Sequence, residues 1–304
     1  MIATTNLTSS DFHGLDTQSI ENDFLRVEYL TGAGPRLIGL YLKPSRENIL
    51  ADAFDAGWET PHGDYRLFGG HRLWIAPEVF PETSLPDNAP VTIEHAVDGV
   101  QLTQTKTLNG LTKSIRVEPA PDAPVLTLVH SVTNHDNIAR QLAPWAITIL
   151  PPGGVAIIPL LNVPQQKFPL GPNRQLTFWN CSLVNDARLE LRAEALFVQG
   201  RVALPPFKVG CMNRTGRIGY WRNGVLLVKE FDAEPEREHP DWNCNAEVYV
   251  NDRYLELETL APFTNLLPRQ TVTHRETWHI CAGVRDADAA LETLLIFPKT
   301  DEEL

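Results

Sequence analysis

Prolines interrupt this chain at short intervals. There are 24 of them in 304 residues, about 8% against roughly 5% in an average protein. A proline inside a helix removes a hydrogen bond and clashes with the preceding turn, so this spacing leaves little room for long helices. What lies between the prolines alternates. In "FLRVEYL" (24–30), Leu25, Val27 and Tyr29 share one face while Arg26 and Glu28 take the other, the period of a half-buried strand. "VQLTQTKTLNGLTKSIRVEP" joins two such runs at Asn109-Gly110, and "RIGYWRNGVLLVKEF" does so at Asn223-Gly224; both dipeptides tolerate the positive φ angles of a tight hairpin.

Further strands are expected at 36–42, 124–133, 143–150, 155–159, 188–199, 246–250, 253–258 and 271–280. Helical periodicity is clear only in "DADAALETLLIF" (286–297), where Ala289, Leu291, Leu294 and Leu295 lie along one side. Many short strands separated by turn signals mark an all-β sandwich or barrel. No linker, repeat or charge block divides the sequence. The expectation is one large antiparallel β-sandwich domain over residues 1–304 with few short helices, and with residues 1–18 as a flexible or edge-packing segment.

Charge narrows the function classes. With 38 acidic and 26 basic side chains the net charge is -12, a field that repels nucleic acid and anionic membranes. The polar start "MIATTNLTSSDFHGLDTQSI" lacks the basic and apolar regions of a signal peptide, and no apolar run is long enough to span a bilayer. A cytoplasmic protein with neither nucleic-acid nor membrane partners is expected. Cys181, Cys211, Cys244 and Cys281 are far apart in sequence and read as free, mostly buried thiols in a reducing compartment.

Three stretches could carry chemistry. In "YLELETLAPF" (254–263), Glu256 and Glu258 are two apart and share one face of a strand; a buried carboxylate there could act as a base near neutrality. In "FGGHRLWIAPE" (68–78), Gly69 and Gly70 allow a tight loop or close approach of backbone to a ligand. His71 and Arg72 follow, and Trp74 could face the C–H side of a sugar ring. In "EHPDWNCNAEVYVN" (238–251), His239, Asp241, Trp242, Asn243, Asn245 and Glu247 combine carboxylates, amides and an aromatic, a mixture suited to polyhydroxylated ligands. His239 and Asp241 could both ligate a metal, but no second pair stands at a recognisable spacing, so no metal is expected. Lys208 and Lys229, with Arg72, could add positive charge for an acidic or phosphorylated sugar. Nucleophile-elbow, phosphate-loop and zinc-protease motifs are absent from the sequence.

In this order, "NDFLRVEYLTGAGPRLIGLYL", "RLFGGHRLWIAPE" and "LELETLAPFTNLLPRQTVTHRETWHI" resemble the galactose mutarotase-like superfamily, which includes aldose 1-epimerases. The resemblance covers most of the chain. It implies a β-supersandwich with a sugar cleft on one open face, and acid–base interconversion of sugar anomers without metal or cofactor. It also implies that Glu258, on the Glu-Thr strand, is the base that takes the anomeric proton, and that His71 is the acid or a hydroxyl-binding group. Arg72, Trp74, Trp145, Lys208, His239, Asp241 and Glu247 are the substrate-binding candidates. The sequence departs from the family at the central strand "LAPWAITIL", where Trp145 stands near the position of the principal acid histidine. His135 in "VTNHDN" lies in a polar turn instead. Activity then depends on His71 or His239 substituting; otherwise the cleft binds sugar without converting it. Lyase or hydrolase chemistry on the same carboxylates is a third reading.

Overall fold

The structure, a computed structural model, describes residues 10–105, 109–160 and 173–296. The start of the N-terminal segment and the last residue of the expected C-terminal helix lie outside the described residues. Two large antiparallel sheets face each other, one of eleven strands and one of ten. The first sheet runs, edge to edge, through Ser10–Phe12, Leu15–Glu21, Leu25–Leu30, Arg36–Leu42, His71–Ala76, Arg140–Leu150, Leu255–Leu260, Ala246–Val250, Phe207–Cys211 and Leu176–Phe178, with Thr264–Leu266 beside the start of Arg140–Leu150. The second runs through Leu189–Leu191, Ala195–Gln199, Val155–Pro159, Arg217–Arg222, Val225–Phe231, Thr271–Ala282, Val125–Asn134, Leu111–Pro119, Gly99–Gln104 and Val91–Ala96.

Alternation does what the sequence predicts. Val125–Asn134 buries every second residue, and its inward Leu126, Leu128 and Val132 join Val27, Leu40, Leu73, Val248, Leu257 and Trp278 in the core between the sheets. At the Asn223-Gly224 turn, φ angles of 51° and 80° let Arg222 pair directly with Val225, the two-residue hairpin expected of that dipeptide. The 188–199 run folds back on itself as two short strands instead of one. The helix Ala287–Ile296 covers the outer face of the second sheet, with Leu291 and Leu294 packed among Val155, Phe197 and Val228. Among the described residues no helix is long and apolar enough to cross a membrane. The four cysteines are free, Cys211 and Cys244 buried and Cys181 and Cys281 partly so.

Where the sequence suggests a loop at Gly69–His71, the chain has a strand, His71–Ala76. The glycines serve the fold at this point. Gly69 and Gly70 have φ of +100° and +66°, and a Cβ on Gly70 would lie 1.8 Å from the Leu37 carbonyl oxygen. Gly70 N–H donates to Ala51 O and its carbonyl accepts from Ile149 N–H. The close approach that glycine permits is therefore to neighbouring backbone. It seats the Asp52–Thr60/Gly63–Gly69 hairpin against the outer face of the first sheet, where Tyr65 and Leu67 pack with Trp74, Trp145, Ile147 and Ile149.

Candidate functional site

Register decides which side chains can meet. Arg72 is paired with Ile147, and Ile147 with Glu258; Trp74 is paired with Trp145, and Glu258 with Glu247. Since side chains alternate across a sheet, Arg72, Trp74, Trp145, Glu247, Glu256, Glu258 and Lys208 all project from the outer face. His71 is paired with Thr148, and Thr148 with Leu257, so it projects from the opposite face into the core. A residue adjacent to Arg72 in a strand cannot share its face. His71 is therefore not the partner of Glu258, and the acid role expected of it fails on geometry.

The outer face holds a compact charged centre. Glu258 and Glu247 are fully buried and lie directly opposite each other on neighbouring strands. Lys208 Nζ sits between them, 3.0 Å from Glu258 Oε2 and 2.7 Å from Glu247 Oε2. Trp145 Nε1 donates to the same Glu258 oxygen at 2.8 Å, leaving Oε1 without a partner. The ammonium also lies 4.6 Å from the ring centres of Trp145 and Trp179, a cation–π arrangement that suits a desolvated lysine. Gly210, on the same face, makes the room: a Cβ there would be 3.0 Å from Glu247 Cγ and 3.1 Å from the Trp179 ring.

The two carboxylates have unlike surroundings. Burial pushes the Glu247 carboxyl well above its ordinary range, Lys208 opposes this, and Glu258 and Asp241 add to the rise. Neither Glu247 oxygen makes a well-directed hydrogen bond. Glu258 accepts one hydrogen bond from an indole and one from the ammonium. Burial also raises Asp241, with Glu258 acting in the same direction and Lys208 opposing. Lys208 itself is held above its usual value by the two glutamates, against the effect of burial.

A second, adjacent group completes the face. Arg72 Nη2 is 3.3 Å from Glu256 Oε1 and its guanidinium lies 4.8 Å from the Trp74 ring centre. Burial raises Glu256 to about 7, with Arg72 opposing and Glu258 adding. Arg72 Nε and Nη1 and Trp74 Nε1 are buried without partners. Trp58, Tyr65, Trp74 and Trp145 follow one another at centroid separations of 4.7 to 6.1 Å, an aromatic wall beside the charges.

Of the cations suggested for an acidic or phosphorylated sugar, only Arg72 has donors to spare. Lys208 is committed to two carboxylates. Lys229 lies in the core, 2.8 Å from Glu276 Oε1.

That core centre contains the displaced His71. His71 Nε2 is 2.7 Å from His130 Nε2, and His71 Nδ1 is 2.9 Å from Thr148 Oγ1. The bonding assigns the protons. His130 Nδ1 faces the His274 carbonyl at 2.9 Å and must donate, so its Nε2 accepts from His71 Nε2–H. His71 Nδ1 then accepts from the Thr148 hydroxyl, which in turn accepts from Lys229 at 3.0 Å. Glu276 receives Lys229, Trp278 Nε1–H and the Thr259 hydroxyl. The ligand atoms of His71, His130 and Glu276 lie within 4.8 Å of one another, yet the imidazoles are bonded to each other and the carboxylate already faces an ammonium. The set fits a satisfied polar network better than a metal centre.

His239 and Asp241 stand on or beside the short Pro240–Asn243 helical turn. His239 is buried; its Nδ1 bonds the Arg237 carbonyl at 3.0 Å and its Nε2 has no partner. Trp179 is a member of the centre that the sequence does not single out, since one aromatic just after a three-residue strand carries no periodic signal.

No protein-family model matches this sequence, and no curated protein matches it. Solved structures do share its fold. A candidate aldose 1-epimerase from Escherichia coli K12 superposes with a TM-score of 0.55 at 13% identity, over 88% of this chain and 100% of that one. A galactose mutarotase-like protein from Lactobacillus casei gives 0.55 at 10% identity over 87% and 100%. A TPR-domain containing protein from Parabacteroides distasonis gives 0.60 at 15% identity, over 95% of this chain and 50% of that longer one. The fold is thus the galactose mutarotase-like sandwich that the sequence resemblance implied.

Proposed function

We propose that the protein binds an aldose on the outer face of its first sheet and interconverts the sugar's anomers by carboxylate acid–base catalysis. One observation carries the reading: two buried carboxylates stand directly opposite each other on neighbouring strands and share one ammonium, Glu258 with an indole donor besides and Glu247 with its carboxyl raised by burial. Such a pair divides into an acid and a base. Glu258 takes the proton from the C1 hydroxyl, and Glu247, kept protonated by burial, supplies one to the ring oxygen. The ring opens, the C1–C2 bond rotates, and closure from the other face returns both protons. Trp74 and Trp145, buried beneath Tyr65 and Leu67, form the apolar side of the centre, and the unpartnered donors of Arg72 suit a ring oxygen or hydroxyl. The mutarotase-like fold of the solved neighbours supports a sugar as ligand; this division of roles is read from the residues of this chain.

A second reading, sugar binding without conversion, is favoured by the complete enclosure of both carboxylates beneath Lys208. Anomer exchange by NMR over a panel of neutral, acidic and phosphorylated aldoses separates the two. Under the catalytic reading, Glu258→Gln and Glu247→Gln each lower the rate by about 10²- to 10⁴-fold while saturation-transfer signals persist. Binding without acceleration for any sugar leaves the second reading; absence of binding overturns both.

A further inference from the structure

The turn that carries Asp241 and follows His239 is built from strained backbone. Asp241, Trp242 and Asn243 are all left-handed, with φ of 50°, 59° and 69°, a conformation that residues other than glycine rarely adopt in succession. The turn is tied down from several directions: His239 N–H donates to Asn243 Oδ1, Cys244 N–H to the Pro240 carbonyl and Gln175 Nε2 to the Trp242 carbonyl. The result is that Trp242 is 81% exposed, the highest value among the exposed large hydrophobic residues described.

Trp242 borders an open cleft of about 640 Å³ that is also lined by Glu236, Glu238, His239, Asp241 and Phe263. This lies within the roughly 300–1,000 Å³ of small-molecule sites. A second observation points to a ligand. His239 is only 2% exposed, and its Nε2 is unpartnered. With Nδ1–H donating to the Arg237 carbonyl, Nε2 presents a lone pair, so it calls for a hydroxyl donor. The rim carries Glu236, Glu238 and Asp241, while Arg237 is paired with Glu234 at 2.8 Å, an acceptor-rich border that disfavours an anion. Asp241 stands close enough to Glu247 to raise its carboxyl, so the cleft adjoins the buried carboxylates.

We infer that this cleft is an outer sugar subsite, in which an uncharged pyranose ring stacks on Trp242 and donates a hydroxyl to His239 Nε2. The ligand of the whole site is then a saccharide of more than one ring, its second ring lying outside the carboxylate centre. The choice of a sugar rests on the anomer-exchange reading proposed above; the cleft, the exposed indole and the unpartnered imidazole do not.

The test uses the full chain labelled with 5-fluorotryptophan, with the Trp242 resonance assigned from Trp242→Ala. Glucose, lactose, maltose, cellobiose and glucose 6-phosphate are titrated in turn. The expected result is a Trp242 shift with at least one neutral disaccharide, retained in Glu258→Gln, and a disaccharide affinity weakened roughly threefold to tenfold in Trp242→Ala. Because the Trp242 side chain is exposed, that variant keeps the far-UV circular dichroism and the thermal midpoint of the parent. A Trp242 signal unmoved by every neutral sugar overturns the subsite, even where sugar still binds at Glu258. So does a shift that vanishes in Glu258→Gln, or one produced more strongly by glucose 6-phosphate than by any neutral sugar. A Trp242 shift without anomer exchange supports the subsite while counting against catalysis.

Discussion

Lys229 places an ammonium in the middle of a sandwich, and it is tolerated because each proton has an acceptor. Glu276, Thr148 Oγ1 and the Leu257 carbonyl take it at 2.8, 3.0 and 3.2 Å. Burial acts to raise Glu276, but Lys229, with His130 and His71, holds its carboxyl well below the usual range. Removing one partner of such a pair strands the other charge. Lys229→Met is expected to cost about 3–5 kcal/mol, read from urea midpoints, and Lys229→Met/Glu276→Leu to recover much of that loss. A double variant no more stable than the single would show that the cost lies in packing. The same network explains His71. Its neighbours in space come from separate strands of both sheets, and nothing in "GGHRLWIAPE" announces them.

At the scale of elements, the strand His71–Ala76 is the instructive one. "HRLWIA" alternates, with His71, Leu73 and Ile75 on one side and Arg72, Trp74 and Ala76 on the other. That parity was legible in the sequence and separates His71 from Arg72; which of the two shares a face with the glutamates follows only from the register through Arg140–Leu150. Which face looked outward was not legible, because both are buried and a strand covered on two sides shows no polar edge. The glycines ahead of it set the geometry. Gly70→Ala is expected to destabilise the protein by more than about 2 kcal/mol, since the added carbon meets backbone that cannot swing aside as a side chain can. A thermal midpoint close to that of the parent would show that the Leu37 strand shifts freely. The Asn223-Gly224 turn was the most legible element, because Asn-Gly acts through local backbone preference alone; the connection expected at Asn109-Gly110 includes residues 106–108, which lie outside the described residues.

For the whole molecule, the two ionic centres make opposite demands on pH. Burial lowers His71, with His130 adding, and burial likewise lowers His130 and brings His274 to about 3. Unfolded, each titrates near about 6.5. Below that value the unfolded chain binds more protons than the folded one, so stability falls as pH drops, by up to about 1.4 kcal/mol per pH unit for each histidine. Glu256 works the other way. Raised to about 7, it holds a proton in the folded chain between that value and its unfolded value of about 4.3, which favours folding as pH falls through that window. Glu256→Gln is therefore expected to lose stability more steeply than the parent between about pH 7 and about pH 5, by urea titration at each pH. Equal slopes would mean that Glu256 is charged throughout.

The sequence by itself determined the class of the fold, most of the strands, the Asn223-Gly224 hairpin turn and the terminal helix, because alternation, turn chemistry and helical period act over a few residues. It also marked the three stretches whose side chains fill the outer face. Tertiary structure alone decided which of them meet. Glu247, Glu258 and Lys208 converge because the adjacent strands Ala246–Val250 and Leu255–Leu260 pair in register and the more distant Phe207–Cys211 joins them at Ala246–Val250, and His71 is excluded because it faces the opposite sheet. Strand parity is local, but the choice of what covers each face is made only when two sheets close on each other.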